Sequence, residues 1–391
     1  MVCCCMLRTT KGRGERKVCT RFTPYGWGLY PIHCGRAQRG SPRPALTVFL
    51  TRRVVAKGVW AYDLRLEKHI NESGSFVPRM ARTFKIATRR SKMALVQTHR
   101  IISLLQAVAP EHTFEPFEVV ADGDYEKYKG DLQKIGGKGA FVKALELAML
   151  DGRADMAMHS LKDVPGDVDL PDGLCIPCTL AREDLRDAVV CRKDDSFVGL
   201  KEGAKIGTSS VRRAAQLQTN FPHLEVVPLR GNADTRVGKV DSGEVDAAVL
   251  ALSGLRRIGL EGRVSEVFEP DVMLPAVGQG VVCVEARSDD VEALALLAKI
   301  NHADTFACTS AERRMLRVLQ GSCHTPIAGY CVVTANRNLR LIAMVSSPDG
   351  KEVLRARKKM PYADAEALGE AVAKDLLEQG AARLLGHAQN Q

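Results

Sequence analysis

Residues 84–110 read FKIATRRSKMALVQTHRIISLLQAVAP, and the change of period inside them decides the fold class. FKIAT alternates as a short strand does. Ser91 then offers a side-chain oxygen to the first turn of an amphipathic helix, which has to stop before Pro110. The run FEPFEVV (114–120) follows, then a helix from about Ala140. The same alternation continues through ADMAMHS (154–160), DAVVCRK (187–193) and AKIGTS (204–209), a helix over VRRAAQLQ (211–218), LEVVPLR (224–230), a helix beginning near Asn232, and DAAVLAL (246–252). Short apolar runs separated by helices predict largely parallel sheets covered by helices. After VVCVEAR (281–287) and helical stretches over 291–300 and 305–319, the pattern changes to three strand-like runs joined by hairpin turns, one of them at SPDG (347–350), and a closing helix from about Ala363. The expected class is α/β: two α/β domains and a small α+β domain at the C-terminus. The expected boundaries are a basic N-terminal extension over 1–81, a first domain over 82–182 plus 278–300, a second over 183–277 and a third over 301–391.

A length of 391 residues suits two or three domains. The formal net charge of +10 suggests a polyanionic partner only if it belongs to the folded body. It does not: residues 1–80 carry 15 Lys/Arg and 4 Asp/Glu, which leaves 41 and 42 for the rest. A general nucleic-acid surface is therefore not expected. No apolar run approaches the roughly 20 residues of a membrane span. The extension has no secretory pattern and no strand or helix period. Its Arg-rich, acid-poor balance permits a plastid or mitochondrial transit peptide, and Met80, just before the ordered pattern, permits an over-extended start.

Five of the twelve cysteines lie in the extension and seven in the body. An odd number at irregular spacing argues for reduced thiols in a cytosol-like compartment. CIPC (175–178) stands in a strand-like run with no second ligand pair, so packing is favoured over redox or zinc chemistry. No metal is expected.

Polar loops close several strands: ATRRS (87–91), KIGGKGAF (134–141), HSLKDVP (159–165), GTSSVRR (207–213), LRGNADTR (229–236) and GLRRIG (254–259). Ligands of open α/β sheets bind at such ends. The cations there are Arg89, Lys134, Lys138, Lys162, Arg212, Arg213, Arg230, Arg236, Arg256 and Arg257. Guanidinium forks in that number imply a ligand with several carboxylates or phosphates, although each arginine alone reads as a solvated loop residue. GTSSVRR adds backbone amides at a helix start. KIGGKGAF lacks phosphate-loop spacing and suits a cationic flap with Phe141 as a flat apolar face. In HSLKDVP, Asp163 beside Lys162 can hold cationic N–H groups and move protons; its structural alternative is an Asx-type turn before Pro165. Cys323, in LQGSCHTPIAGY (319–330), has only the adjacent His324 as an obvious partner, an unsuitable geometry for a Cys–His dyad. A loop thiol between Gly321 and Pro326 could instead carry a covalently attached group.

ATRRS, GGKGAFVK, HSLKDVP, GTSSVRR, LRGNADTR, LPAVGQG and GSCHTPI, in this order and spacing, resemble the porphobilinogen deaminase (hydroxymethylbilane synthase) family over about 310 residues from roughly Arg82. The resemblance implies two type II periplasmic-binding-protein-like domains and a small third domain. It implies a dipyrromethane cofactor bound covalently through Cys323, with cofactor contacts from Ser160, Lys162, Asp163, Thr208, Ser209, Ser210, Arg212, Arg213 and Arg236. Substrate contacts would come from Arg89, Ser91, Arg230, Arg236 and Arg257, and from Lys138 and Phe141 on the flap. The implied reaction condenses four porphobilinogen molecules through azafulvene cations into a linear hydroxymethylbilane, with Asp163 as the catalytic carboxylate. A cytoplasmic monomer without nucleic-acid or membrane partners is implied. A non-catalytic clamp for a polycarboxylate is the alternative. Ala121, where the family commonly has Thr, and Asp234, at a usually small position, depart from the pattern, and Asp234 is expected to weaken the field around Arg236.

Overall fold

The computed structural model describes residues 51–55, 59–63, 81–119, 137–193, 195–322 and 324–386. Along the chain run β1 (Thr51–Val55), β2 (Val59–Asp63), β3 (Thr83–Arg89), α1 (Lys92–Val108), β4 (Thr113–Val119), α2 (Gly137–Leu150), β5 (Met156–Ser160), β6 (Leu174–Thr179), β7 (Asp187–Cys191) and β8 (Lys205–Gly207). Then follow α3 (Val211–Asn220), β9 (Glu225–Val227), α4 (Ala233–Asp241), β10 (Ala247–Ala251), α5 (Leu252–Arg257), β11 (Glu266–Phe268) and β12 (Val282–Arg287). The last elements are α6 (Val291–Ile300), α7 (Ala303–Val318), β13 (Ile327–Val333), β14 (Asn338–Ser346), β15 (Val353–Pro361), α8 (Ala365–Glu378) and α9 (Ala381–Leu384).

Local chemistry sets the boundaries. Ser91 Oγ accepts from Ala94 N–H at 3.3 Å and starts α1, while Asp290 caps α6 through Ala293 N–H. The stripe Ala94, Gln97, Thr98, Ile101 and Leu105 faces inward, as a 3.6-residue period requires. Strands β5, β7 and β10 are buried on both faces and accordingly read as nearly unbroken apolar runs.

Two five-stranded sheets, β4-β3-β5-β12-β6 and β9-β8-β10-β7-β11, repeat one order. In each, parallel pairs join the first three strands, and the next position holds an antiparallel strand contributed from across the sheet-to-sheet connection. β12, arriving after the second sheet, separates β5 from β6; β7, arriving after the first, separates β10 from β11. The expectation of largely parallel sheets is corrected accordingly: each sheet is mixed. A short, doubly buried strand carries the same apolar residues in either direction, so its sequence does not encode polarity.

The third sheet, β13-β14-β15, is antiparallel throughout, with α7 and α8 on one face; its core comprises Leu339, Leu341, Ala343, Met315, Leu368 and Val372. Glu312, wholly buried in α7, accepts both guanidinium ends of Arg182 (2.7 and 2.8 Å) and the amides of Gly278 (2.8 Å) and Cys331 (2.7 Å). One carboxylate thus fastens the third sheet to both connecting segments.

Two expectations change. TRRVV and VWAYD, within the extension read as lacking regular structure, pair as an antiparallel ladder, for which their β-branched and aromatic residues are suited. The segment expected as a flap begins a helix at Gly137, so Lys138 and Phe141 lie within α2.

Candidate active site

The residues around HSLKDVP converge first. β5 ends at Ser160, and a single 3₁₀ turn over Leu161–Asp163 redirects the chain. Arg89 and Ser91 come from the end of β3 and the start of α1. Together with Met93, Gln97, His159, Ser160 and Asp163 they line a cavity of about 80 Å³. Ser160 Oγ donates to Gln97 Oε1 at 3.5 Å, while Gln97 Nε2 is buried without an acceptor. Behind the cavity, His159 Nε2 lies 2.9 Å from Oε2 of the wholly buried Glu285. Burial beside Glu285 raises the Glu146 carboxyl above its ordinary range.

Arg257, at the end of α5, approaches from the second sheet. Its Nε donates to Glu183 Oε2 at 2.7 Å, and its buried Nη2 has no acceptor. Burial lowers the Arg257 pKa from its usual value, and Glu183 and Asp163 oppose that shift, which puts Asp163 within electrostatic reach. Arg256, its neighbour, turns away to Glu261 (2.7 Å) and Asp184 (3.3 Å).

A second constellation is buried. Asp187, 0% exposed at the start of β7, accepts from Arg213 Nε (3.1 Å) and Nη2 (2.7 Å), and Arg212 Nη1 lies 2.8 Å from its other oxygen. Burial alone would raise the Asp187 carboxyl; the two guanidinium groups hold it well below the usual range. Arg212 also donates to Leu274 O and Arg213 to Val249 O. Both arginines, read from sequence as carboxylate clamps, are 4% and 6% exposed and engaged inside the protein. Gln279 joins the two constellations. Its Nε2 donates to Asp187 Oδ1 (2.9 Å), and its Oε1 accepts from Lys162 Nζ (3.2 Å). Gly278 (φ 71°) and Gly280 (φ 80°) flank it; a Cβ on Gly280 would stand 2.8 Å from Glu183 O, so the connection passes only with glycine there.

The GTSS hydroxyls divide. Ser209 Oγ donates to Leu229 O at 2.9 Å, Thr208 Oγ1 accepts from Ser210 N–H at 3.2 Å, and Ser210 precedes α3 without capping it. Arg230 is exposed, and Arg236 Nε donates to Gly231 O at 2.8 Å. Burial lowers the Arg236 pKa, with Arg213 adding to the effect. Asp234 Oδ1 accepts from Thr235 N–H at 2.9 Å, and no ion pair joins it to Arg236 among the described residues. Lys134, Ala121 and Cys323 lie outside the described residues, as do the side chains of Lys138 and Phe141. Cys175 and Cys178 are packed in β6, their thiols pushed up by burial to about 11 and about 12, and so stay protonated. Among the described residues no three or more His, Cys, Asp or Glu side chains gather as a metal would require, and no helix there is long and apolar enough to cross a membrane.

Gln97, Glu183, Asp187 and Gln279 were not singled out from sequence. Only Gln279 left a signal, between the two glycines of LPAVGQG.

Fold and site define a class: an α/β protein whose strand-end loops gather arginines, hydroxyls and the carboxylate of Asp163. Residues 84–295 match the family description "Porphobilinogen deaminase, dipyromethane cofactor binding domain", and 306–378 match "Porphobilinogen deaminase, C-terminal domain". Porphobilinogen deaminases of Chromobacterium violaceum (47% identical over 77% of this chain and 96% of the relative) and Bordetella parapertussis (46%, 77% and 94%) are similar along nearly their whole length. Among solved structures, the methionine-binding protein MetQ overlaps 56% of this chain and 89% of its own at 14% identity with a TM-score of 0.35. The chain belongs to the porphobilinogen deaminase family, transferases of tetrapyrrole synthesis. The matches support the enzyme and not the non-catalytic clamp.

Proposed function

We propose that this chain joins four porphobilinogen molecules head to tail, with loss of ammonia, and that Asp163 is the group that makes the condensation possible. The observation that carries this reading is the meeting of Arg89, Ser91, Ser160 and Asp163 around one cavity, with Arg257 within electrostatic reach of Asp163. Arg257 Nη2 and Gln97 Nε2, buried donors without acceptors, are what a carboxylate-bearing pyrrole would satisfy.

The donor chemistry also fits the dipyrromethane, whose rings each bear an acetate and a propionate. Ser160, Lys162, Thr208, Ser209, Ser210 and Arg236 would hold it beside Asp163, with Cys323 as the covalent anchor. Arg212 and Arg213 act there through a fixed positive field, because Asp187 already holds them. When bound, the group supplies the pyrrole carbon on which the product grows. Asp163 accepts from pyrrole N–H groups, stabilises the cationic pyrrole formed as ammonia leaves, and takes up the proton released when the ring regains aromaticity. Arg89, Ser91, Arg230 and Arg257 bind the incoming carboxylates, aided by Lys138 and Phe141 of α2. The three sheets are read as three domains with the boundaries given above, in a cytoplasmic monomer that binds no nucleic acid.

The test is Asp163→Asn. It is expected to retain the cofactor by intact mass and to add porphobilinogen about 10²- to 10⁴-fold more slowly in single turnover. Addition at the parental rate would make this carboxylate structural.

A further inference from the structure

We propose that the outward face of the third sheet is a second anion site, built for a small ligand carrying two or more carboxylate or phosphate groups. The register puts four cations on this face. Arg340 of β14 stands directly opposite Lys359 of β15, while Arg357 and Arg355, at alternate positions of β15, stand opposite Ile342 and Met344. The other face holds Leu339, Leu341, Ala343 and Ala356 against the helices, so the four cations share the face away from α7 and α8. Neighbouring positions are roughly 5 Å apart across the strands and 7 Å along them, within the span of one multivalent anion.

Among the described residues, nothing neutralises this group. Strands β13, β14 and β15 contain no Asp or Glu, and among the described residues none of Arg340, Arg355, Arg357 and Lys359 forms an ion pair. Like charges directly opposite in a ladder are destabilising, so the pairing of Arg340 with Lys359 is unfavourable until an anion bridges it. Arg340 Nε is buried and has no acceptor. Lysines and arginines on an edge strand such as β15 also deter edge-to-edge pairing, but that does not account for Arg340, which is on the central strand. The inner end of the face is closed, because Met344, Ala328 and Val353 pack with Leu274. The open end is a trough of about 320 Å³ lined by Thr334, Arg340, Arg357, Lys358 and Lys359, with Lys358 also 3.2 Å from Asp375 of α8. That volume suits a small molecule rather than a macromolecular surface.

The test uses the full chain with pyrophosphate, citrate and porphobilinogen as probes, against sodium chloride at matched ionic strength. At least one probe should slow hydrogen exchange in β14 and β15 around Arg340 and Lys359 and raise the melting temperature beyond the salt control. The probe that acts best distinguishes a phosphate ligand, a general polycarboxylate, and the enzyme's own class of substrate. Arg340→Gln combined with Arg357→Gln should fold, keep parental turnover, and weaken the probe's apparent Kd by roughly tenfold or more for each arginine. Lys359→Glu should raise the melting temperature without any anion and abolish the response. Protection equal to that in sodium chloride, protection confined to the cavity around Asp163, or an undiminished response in the double variant would overturn the proposal.

Discussion

Replacing Asp187 by Asn leaves the shape of the buried cluster almost unchanged and removes its only negative charge. In the parent, Oδ1 takes two N–H groups of Arg213 and one of Gln279, and Oδ2 faces Arg212 Nη1 at 2.8 Å. An asparagine oriented to keep the first set turns its NH₂ toward Arg212, donor against donor. Two guanidinium groups, 4% and 6% exposed, are then left without a counter-charge. Breaking a buried pair this way costs about 3–5 kcal/mol. At roughly 1–2 °C per kcal/mol for a chain of this size, the melting temperature at neutral pH should fall by about 3–10 °C. The pH dependence provides a second check. Because the folded-state pKa of Asp187 is depressed, its contribution is complete above the unfolded carboxyl value of about 3.9 and is lost as pH falls below it. The gap between parent and variant should therefore be widest at neutral pH and narrow in acid, as followed by calorimetry. A variant melting within about 2 °C of the parent at pH 7 would show that Arg212 and Arg213 do not depend on this carboxylate.

Arg257→Leu should raise the concentration of porphobilinogen needed for half-maximal addition, by an amount equivalent to about 2–5 kcal/mol, while Glu183→Gln should have a smaller effect in the same titration. Gln279→Leu removes an acceptor from Lys162 and a donor from Asp187 together; incomplete cofactor loading by intact mass and a lower melting temperature are expected. Cys323→Ala should fold and have the mass of the bare polypeptide, and an adduct recovered on Cys308 or Cys331 would contradict the anchor assignment.

Much of the architecture was legible because burial has a period. Ser91, Asn232 and the stretch Val291–Ile300 marked helix ends within a residue or so, since caps and stripes are local properties. Strand polarity was not legible: VVCVEAR has the same apolar run whether it enters the sheet parallel or antiparallel. At the site, Asp163 and the strand-end arginines were visible as charge in loops. The inward turn of Arg212 and Arg213 was not, because their partner Asp187 lies 25 or more positions earlier and reads as an ordinary strand start. Arg256 and Arg257 are adjacent and chemically identical in sequence; only the fold sends one to Glu261 and Asp184 and the other to Glu183.

The interleaving of β7 and β12 has a consequence for biosynthesis. Among the described residues β6 pairs only with β12, which emerges from the ribosome about a hundred residues later, after every strand of the second sheet. At 5–20 residues per second, the unfinished first sheet would present open edges on β5 and β6 for roughly 5–20 s. A nascent chain stalled between Thr179 and Val282 is thus a sticky half-sheet, so this interval is where chaperone capture or misassembly should concentrate. Fragments split between the two sheets should recover only when both pieces are supplied together.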